Sequence, residues 1–433
     1  MLKCGFYERE ITPPLGKEIP GYYAKRVSTG VLDRLYAKAV VLDNGEEQLA
    51  LVVLDAIQTE TPMHDAIVER ICANSGLKPE NITVTATHTH LGIPMDEPIG
   101  SKGDPAYMDW LCLMAADCVL LALQNLKECT LQMGMGRVEG VSFNRDYVLE
   151  DGVVCTNPGS KRKIIRPYSE NDPELPVLSV RDLDGNYMGA LISFACHQDC
   201  IGGTAFSGDF SSELSRQLKN RYGGDFVSIY LAGACGDINH LDAMGGSRMD
   251  YRTRGQRIAE EAVRVMERDS KPVSGNCLRA SKEKVVCTYR RATAEELAAA
   301  HRVLSGQPDP NVMLGSLMAQ LLLTYEENAE KRSKEVPILV QVLRIGDAAV
   351  FAMPGEMYHQ FGNALKNADP EKKCLVATLS NGSYWGYIPI SELFGTYIYP
   401  AALCDGSCLT PDAGWKLTNA ALEQYRQLFS EKD

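Results

Sequence analysis

Residues 82–94 constrain the fold most, because a strand has to end inside this stretch. The run begins Ile-Thr-Val-Thr, whose β-branched residues predict a strand, and ends in His-Thr-His followed by a glycine and a proline. Alternate residues of a strand face one side, so His88 and His90 are predicted to point the same way. Ligands of open α/β sheets bind outside strand C-termini. The pair therefore indicates either metal ligands or hydrogen-bonded histidines in a polar turn.

Strands and helices alternate through roughly the first 130 residues. Apolar runs at 37–43 and 49–55 flank an Asn-Gly turn and predict a hairpin, and the second run is apolar enough to be buried on both faces. Helices are predicted over 61–75 and 105–126. The pattern predicts an α/β fold, with a mixed β-sheet core layered with helices and a metal site at strand C-terminal ends.

The remaining chain continues the pattern without repeats or a clear linker, so one large domain over residues 1–433 is predicted. A helical insertion is expected at about 292–334, interrupted at 308–310. Residues 150–175 are predicted to form a long loop, and 381–415 an irregular surface around the site. Further strands are predicted at 129–138, 188–196, 225–231, 277–290, 336–343, 348–353 and 375–379. Further helices are predicted after residue 211 through residue 220 and at 249–268, 357–366 and 413–429.

Composition excludes several classes of function. The formal net charge of −12 argues against a nucleic-acid binder and against attraction to anionic membranes. The longest apolar stretch, 110–123, is too short for a membrane span and contains Asp117, so no transmembrane segment is predicted. The N-terminal residues lack the apolar segment of an export signal. The 14 cysteines are therefore expected to be reduced thiols in a cytoplasmic protein.

Polar residues recur where apolar strands end. After His88 and His90 come His197, then Asp237 with Asn239 and His240, and then Glu356. Each has a plain alternative explanation, such as a helix cap or a satisfied buried imidazole, but together they indicate one metal site fed by several strands. Two histidines and a carboxylate form a common zinc set, and zinc lowers the pKa of bound water to about 7. Asp237 could accept a histidine N–H and fix its tautomer.

Several short motifs follow one another along almost the whole chain up to about residue 400. The motifs are Glu-Ile-Thr-Pro at 10–13 with Gly-Tyr at 21–22, Ala-Thr-His-Thr-His at 86–90, Phe-Asn-Arg at 143–145, Ala-Cys-His at 195–197, Ser-Gly-Asp-Phe at 207–210, Gly-Ala-Cys-Gly-Asp at 233–237, Pro-Gly-Glu at 354–356 and Asn-Gly-Ser-Tyr-Trp-Gly-Tyr at 381–387. In this order, the set resembles the N-terminal catalytic domain of the neutral/alkaline non-lysosomal ceramidase family.

The resemblance implies a zinc amidase with one Zn²⁺ per chain. The implied metal ligands are His88, His197, Glu356 and Tyr387, with Tyr384 as the competing tyrosine. The implied catalytic residues, which would line the site, stabilise a developing oxyanion or protonate the leaving group, are His90, Arg145, Asp237, Asn239 and Tyr399.

The sequence also departs from the family. Asn239 stands where ceramidases carry a serine implicated in catalysis, which leaves a metal-activated water mechanism but excludes a serine-acyl route. Pro400 replaces the usual acidic residue after Tyr399, and Gln198 follows His197 where the family has proline. The family's C-terminal sandwich domain is expected to be absent.

The predicted function is zinc-dependent hydrolysis of a linear N-acyl amide, or less favourably an ester, smaller or more polar than ceramide. Ceramide itself stays open. The alternatives are a non-catalytic relative that keeps the pocket for ligand binding, motivated by Asn239, and a metal-dependent ester or phosphoester hydrolase, which would need a second metal. The expected partner is a small-molecule substrate rather than nucleic acid, and a homo-oligomer stays open.

Overall fold

The structure, a computed structural model, describes residues 1–97, 100–159, 162–245, 248–307, 315–384, 386–396 and 398–430. The predicted break at 308–310 and Trp385 of the 381–387 motif lie outside these ranges. The α-helices are α1 Thr61–Ala73, α2 Pro105–Gln124, α3 Asp209–Tyr222, α4 Tyr251–Arg264, α5 Ala294–Leu304, α6 Ser316–Glu327, α7 His359–Lys366 and α8 Ala413–Ser430.

The strands fall into two groups along the chain. The first group is β1 Lys3–Glu10, β2 Gly30–Val31, β3 Tyr36–Asp43, β4 Gln48–Leu54, β5 Ile82–Ala86, β6 Lys127–Arg137, β7 Phe143–Asn144, β8 Asp146–Leu149, β9 Val154–Thr156, β10 Ile164–Pro167, β11 Glu174–Asp182, β12 Tyr187–Phe194, β13 Ala205–Phe206, β14 Val227–Ala232 and β15 Ile238–Asn239. The second group is β16 Lys271–Pro272, β17 Leu278–Thr288, β18 Glu335–Ile345, β19 Ala348–Ala352, β20 Glu356–Met357, β21 Cys374–Ala377 and β22 Tyr387–Ile388.

Within the described ranges, nine strands form one mixed sheet in the order β14-β12-β11-β6-β1-β3-β4-β5, with β16 paired to β6. The two halves of this sheet join at only two residue pairs between β1 and β6. The far ends nevertheless come together, since Thr89 beyond β5 bridges Gln198 beyond β12, and Lys38 Nζ donates to the Ser228 carbonyl of β14 at 3.1 Å. This curvature brings the exits of β5 and β12 to one place.

A second, four-stranded sheet of order β17-β18-β19-β21 covers one face of the large sheet. The alternation of β4 shows the layering: Val52 and Leu54 pack in the core that holds α1 to α4, whereas Leu51 and Val53 pack against the second sheet. Burial on both faces is what the apolar run at 49–55 predicted. A third core joins the outer face of the second sheet to α7 and α8. The predicted mixed sheet layered with helices is confirmed.

Helix α2 is the one helix in the described part of the chain that is long and apolar enough to cross a membrane by length and composition. A core helix of a soluble protein meets the same criterion. Here Leu111, Ala115 and Val119 are buried in the core beneath the large sheet. The observation adds a weak candidate where the sequence predicted none.

Two segments differ from their predictions. Residues 150–175 are not one long loop, since β9 and β10 flank β8 in a three-stranded antiparallel sheet. The glycine- and charge-rich composition reflects tight turns between short strands. Much of 381–415 is buried rather than surface, because Ile388, Leu393 and Leu403 pack in the third core. Helices α5 and α6 fall inside the predicted insertion.

Candidate metal and active site

His88 lies in a turn rather than on a strand. Strand β5 ends at Ala86, and His88 adopts φ 69°, a left-handed conformation that non-glycine residues rarely occupy outside functional or tightly held sites. Its amide donates to the Ala56 carbonyl at 2.9 Å and its Nδ1 to the Ile57 carbonyl at 2.7 Å. The prediction that strand alternation aligns His88 with His90 is therefore wrong in its geometry. The rings lie near each other, with centroids 5.1 Å apart and planes at 80°, because the chain turns.

The other two histidines are held in the same manner. His197 Nδ1 lies 2.8 Å from the Cys235 carbonyl, and His90 Nδ1 lies 3.0 Å from the Gly21 carbonyl. A carbonyl only accepts, so each Nδ1 carries the proton and each neutral ring presents Nε2 as an acceptor. Gly21 has to be glycine, since its φ is +99° and an added Cβ would come within 2.6 Å of His90 Nδ1.

Four buried acceptor atoms converge between these rings: the Nε2 atoms of the three histidines and Oε2 of Glu356. Glu356 Oε2 lies 3.3 Å from His88 Nε2 and 3.0 Å from His197 Nε2. Across the described ranges, none of the four atoms has a hydrogen-bond partner. Each buried unpaired polar atom costs about 1–3 kcal/mol, so a shared cation, either a proton or a metal ion, would stabilise the arrangement.

The electrostatics indicate where a proton would sit. Burial alone would lower the pKa of His88, but Glu356 outweighs it and raises the pKa. Burial and then the neighbouring charge of His88 lower the pKa of His90 to about 3. Burial and then Arg145 lower the pKa of His197 to about 4. Burial opposes ionisation of Glu356, yet His88 and His197 hold its pKa well below the usual range. Two rings thus stay neutral, as metal ligands must be.

The residues present fit a metal. One ring nitrogen from each of His88, His90 and His197 lies within 4.8 Å of the others. Imidazole nitrogens with a carboxylate suit zinc. His90 is thus near enough to be a third histidine ligand, although the sequence assigned it to the substrate.

The two competing tyrosines differ in environment. Tyr387 pairs in register with Glu356 where β22 lies parallel to β20, and it lines the cavities at the site. Tyr384 points into the third core, where its hydroxyl lies 3.8 Å from Cys408 Sγ. The geometry favours Tyr387. Tyr399 stacks edge-on against Tyr387 with centroids 5.2 Å apart, and its hydroxyl shares a hydrogen bond with Tyr23.

Arg145 and Asn239 lie beside the histidines. The Arg145 guanidinium lies 4.9 Å from the Tyr387 ring centroid and donates to the Gly236 carbonyl, while its Nε is buried without a partner among the described residues. The Asn239 amide donates to Asn157 Oδ1 at 2.9 Å, and its oxygen accepts from the Leu241 amide at 2.8 Å. These two hydrogen bonds fix the orientation of the Asn239 side chain.

Asp237 lies behind the site rather than in it. It accepts from His359 Nδ1 at 2.6 Å, from the His359 amide at 2.8 Å and from Asn144 Nδ2 at 2.9 Å. The histidine it holds is thus His359, not a predicted metal ligand. Its carbonyl accepts from the Arg145 amide at 2.8 Å, so it positions Arg145 from behind.

Two adjoining cavities open onto the histidines. The metal-side cavity, about 100 Å³, is lined by His90, Glu356, Tyr387, Tyr399 and Leu321, among others. The polar cavity, about 250 Å³, shares His90, Tyr387 and Tyr399 with the first and adds Arg145, Asn157, Asp199, Asn239 and His240.

Sequence reasoning missed several contributors. Tyr23 and Glu97 line the metal-side cavity, and Asp199 accepts from the Tyr22 hydroxyl in the polar cavity. Tyr23 directly follows the Gly-Tyr motif at 21–22, which was a usable signal. His359 lies three residues after Glu356, but nothing in the sequence pairs it with Asp237.

The sequence profile of "Neutral/alkaline non-lysosomal ceramidase, N-terminal" matches residues 4–239, more than half of the chain. The chain belongs to this ceramidase family. The match includes His88, His90, Arg145 and His197, whereas Glu356 and Tyr387 lie beyond it.

Two curated ceramidases are similar to the chain. The neutral ceramidases of Drosophila melanogaster and Drosophila pseudoobscura pseudoobscura are each 25% identical to it over 258 residues. The alignment spans 55% of this chain and 36% of each fly protein, so the chain matches only about a third of their length.

Solved ceramidase structures share the fold. Neutral ceramidase from Pseudomonas aeruginosa superimposes with a TM-score of 0.75 at 19% identity, covering 100% of this chain and 75% of that one. A structure described as ceramidase complexed with C2 gives a TM-score of 0.74 at 17% identity, covering 99% of this chain and 75% of its own. The second half of this chain thus has the ceramidase fold as well.

Proposed function

We propose that the protein is a zinc-dependent amidase that cleaves an N-acyl bond in a substrate smaller or more polar than ceramide. The observation that carries the proposal is the convergence of His88, His197 and Glu356 through buried atoms that lack partners in the described structure. These residues and Tyr387 would hold one Zn²⁺. Zinc in such a set supplies Lewis acidity, which lowers the pKa of water and polarises a carbonyl.

The ligands are held ready by the backbone. The carbonyls of Ile57 and Cys235 fix the tautomers of His88 and His197, so each Nε2 lone pair points inward. The burial that lowers the pKa of His197 also excludes water.

The side chains around the metal ligands have distinct roles in this proposal. Arg145 is charged beside the Tyr387 ring and would stabilise negative charge on the scissile carbonyl oxygen. Burial raises the pKa of Tyr399 well above its usual range, so its hydroxyl keeps its proton and would donate a hydrogen bond to the oxyanion. Neutral His90 presents an acceptor Nε2 for a substrate N–H. Asn239 orients the loop and is no nucleophile.

The cavities support a compact polar amine. The polar cavity, at about 250 Å³, is smaller than typical drug-sized ligand pockets of about 300–1,000 Å³. Its lining includes Arg145, Asn157, Asp199 and His240, which suit hydrogen-bonding groups better than a second aliphatic chain. A cytoplasmic place of action is part of this proposal.

The test combines metal analysis with turnover. Purified protein is expected to contain about one zinc per chain and to hydrolyse some of a panel of N-acyl amides. Chelation should abolish turnover and added zinc should restore it. Chelator-resistant turnover would contradict the proposal. Metal binding without any turnover of amides or esters would favour the non-catalytic alternative. Two metals per chain with phosphoester turnover would favour the phosphoesterase.

A further inference from the structure

Glu97 places a carboxylate in the metal-side cavity that no step of the proposed chemistry uses. It lines this cavity together with His90, Tyr23 and Tyr399. Glu97 Oε2 accepts from the Gly21 amide at 2.9 Å, and the Gly21 carbonyl is the group that orients His90. One glycine therefore fixes the positions of both side chains in the cavity.

The loop that carries Glu97 is packed tightly against residues 20–22. Gly100 in this loop adopts a φ of +113°, and an added Cβ there would overlap the Tyr22 carbonyl oxygen. The Glu97 amide donates to the Ser101 carbonyl at 3.1 Å, which closes the loop. This close packing holds the Glu97 side chain partly buried at the cavity instead of in solvent.

The cavity offers Glu97 no cationic side chain. Its described lining contains two further carboxylates, Glu356 and Asp405, and no lysine or arginine. Asp405 is paired with Arg332, and Glu356 belongs to the metal site. Burial raises the pKa of Glu97 to about 7. A cation that entered the cavity would favour the ionised carboxylate and be bound by it.

Arg26 is a cation near Glu97, but its guanidinium is engaged elsewhere. It opposes the rise in the pKa of Glu97, yet it lies outside the described lining. Arg26 donates to the carbonyls of Pro20 and His90, the latter at 2.6 Å, and its guanidinium lies 4.0 Å from the Tyr22 ring centroid. The Glu97 carboxylate thus stays open to a ligand from the cavity side.

The neighbouring polar atoms favour a small ligand group that donates hydrogen bonds. His90 is only 9% exposed, and its Nε2 has no hydrogen-bond partner in the part of the chain that the structure describes. The cavity volume of about 100 Å³ admits only a compact group. A primary ammonium combines one positive charge with three donors in a small volume.

We propose that the acyl group of the substrate is short and carries a primary ammonium, which Glu97 binds in the metal-side cavity. Glu97 is then a specificity-determining residue that selects aminoacyl amides over amides of uncharged acids. The polar cavity is left for the amine part of the substrate. The assignment to an acyl group rests on the proposed amidase function, whereas binding of an ammonium group does not.

Binding is tested without catalysis by comparing n-butylammonium with its uncharged counterpart n-butanol in NMR titrations of the purified protein. Glu97→Gln keeps an acceptor for the Gly21 amide but removes the charge, so it should weaken butylammonium binding at least about tenfold and leave butanol binding unchanged. Asp96 is the exposed neighbouring carboxylate, so Asp96→Asn is the matched control and should bind like the wild type. Equal butylammonium affinities for the two variants would overturn the proposal.

Turnover tests the assignment to the acyl group. For the wild type, kcat/KM of a β-alanyl anilide should exceed that of the isosteric butyryl anilide at least about tenfold, and Glu97→Gln but not Asp96→Asn should remove this preference. A ratio that Glu97→Gln leaves unchanged would overturn the acyl assignment. If no amide is hydrolysed, but Glu97→Gln still weakens butylammonium binding selectively, the amidase function fails and the ammonium site stands.

Discussion

Two buried polar clusters, each combining histidine with carboxylates, lie back to back in this protein. The metal-side cluster is His88, His90, His197 and Glu356, and the rear cluster is Asp237, His359, Asn144, Lys366, Asp172 and Glu174. In the rear cluster the carboxylates have partners: His359 and Asn144 donate to Asp237, and Lys366 Nζ lies 2.6 Å from Asp172. In the metal-side cluster, four atoms lack a hydrogen-bond partner within the described residues, although Glu356 Oε2 lies close to two histidine nitrogens.

This difference distinguishes a polar cluster that stabilises the fold from one that is arranged to bind a cation. Polar groups in a protein interior are normally hydrogen-bonded. A cluster whose polar atoms all have partners adds rigidity and needs no ligand. In the metal-side cluster each histidine is oriented by a backbone carbonyl, and the unpaired acceptor atoms are arranged for an external cation. Both clusters are buried and combine histidine with carboxylates, but the rear cluster contains its own cation, Lys366, and its carboxylates are paired.

Removing a metal-side histidine should have the largest effect. We expect His88→Ala and His197→Ala each to weaken zinc binding more than about 100-fold, since loss of partners outside the ligand set already costs about 10–100-fold. Chelation should lower the melting temperature of the wild type but not of these variants. Calorimetry with and without zinc measures both effects. His301, exposed on α5, supplies the control His301→Ala, which should keep full affinity. If His88→Ala bound zinc as tightly as the wild type, the metal-side cluster would not be the zinc site.

Breaking the rear cluster should cost stability instead of metal. Lys366 Nζ is buried within 2.9 Å of Glu174 as well as against Asp172. Lys366→Met leaves the buried Asp172 carboxylate without its cation, whereas Glu174 keeps its ion pair with Lys372, and we expect a loss of about 3–5 kcal/mol in the free energy of unfolding. Urea unfolding measures it, and zinc content per folded chain should not change. The companion Lys366→Met, Asp172→Leu should recover part of the loss. A zinc deficit in folded Lys366→Met would mean that the clusters act as one.

Substitutions of Tyr387 and Tyr384 test which of the two tyrosines belongs to the metal site and which belongs to the apolar core. Tyr387→Phe removes the hydroxyl assigned to the metal, and we expect a loss of zinc affinity of about 10–100-fold. Tyr384→Phe removes only long contacts, with Cys408 and with the Tyr387 carbonyl at 3.5 Å, so the free energy of unfolding should fall by about 1 kcal/mol or less and zinc affinity should not change. Competition with a zinc chelator reports the affinities. The reverse order would reassign the ligand to Tyr384.

The smallest expected effect is a pH dependence of the rear cluster. Burial alone would lower the pKa of His359, but Asp237 outweighs it and raises the pKa. The resulting stability is fully present below the unfolded pKa of about 6.5 and is lost as pH rises through the folded pKa. The free energy of unfolding of the wild type should therefore exceed that of His359→Gln by about 1 kcal/mol near pH 6. This difference should narrow towards about pH 9. Urea unfolding across this range checks the sign. A gap that widens with pH would show that His359 is held neutral.

Much of the fold was accessible from the sequence because its signals are local. The hairpin of β3 and β4, the two-sided burial of β4, and helices α1 and α2 follow from apolar periodicity and turn residues within a few positions. The prediction failed at 150–175, where short strands carry turn-like composition, and at 381–415, where polar and glycine residues are buried by distant partners.

By itself, the sequence determined which polar residues follow the ends of the strands. His88, His197 and Glu356 each come after an apolar run whose local composition predicts a strand. Only the tertiary structure decided their relation. The sheet curves so that the exits of β5 and β12 meet, and carbonyls far away in sequence set each tautomer. The tertiary structure also holds His88 in a left-handed backbone conformation and pairs Asp237 with His359 through a hydrogen bond. Periodicity specifies one strand at a time, whereas a binding site depends on long-range packing and on which polar atoms are left unpaired.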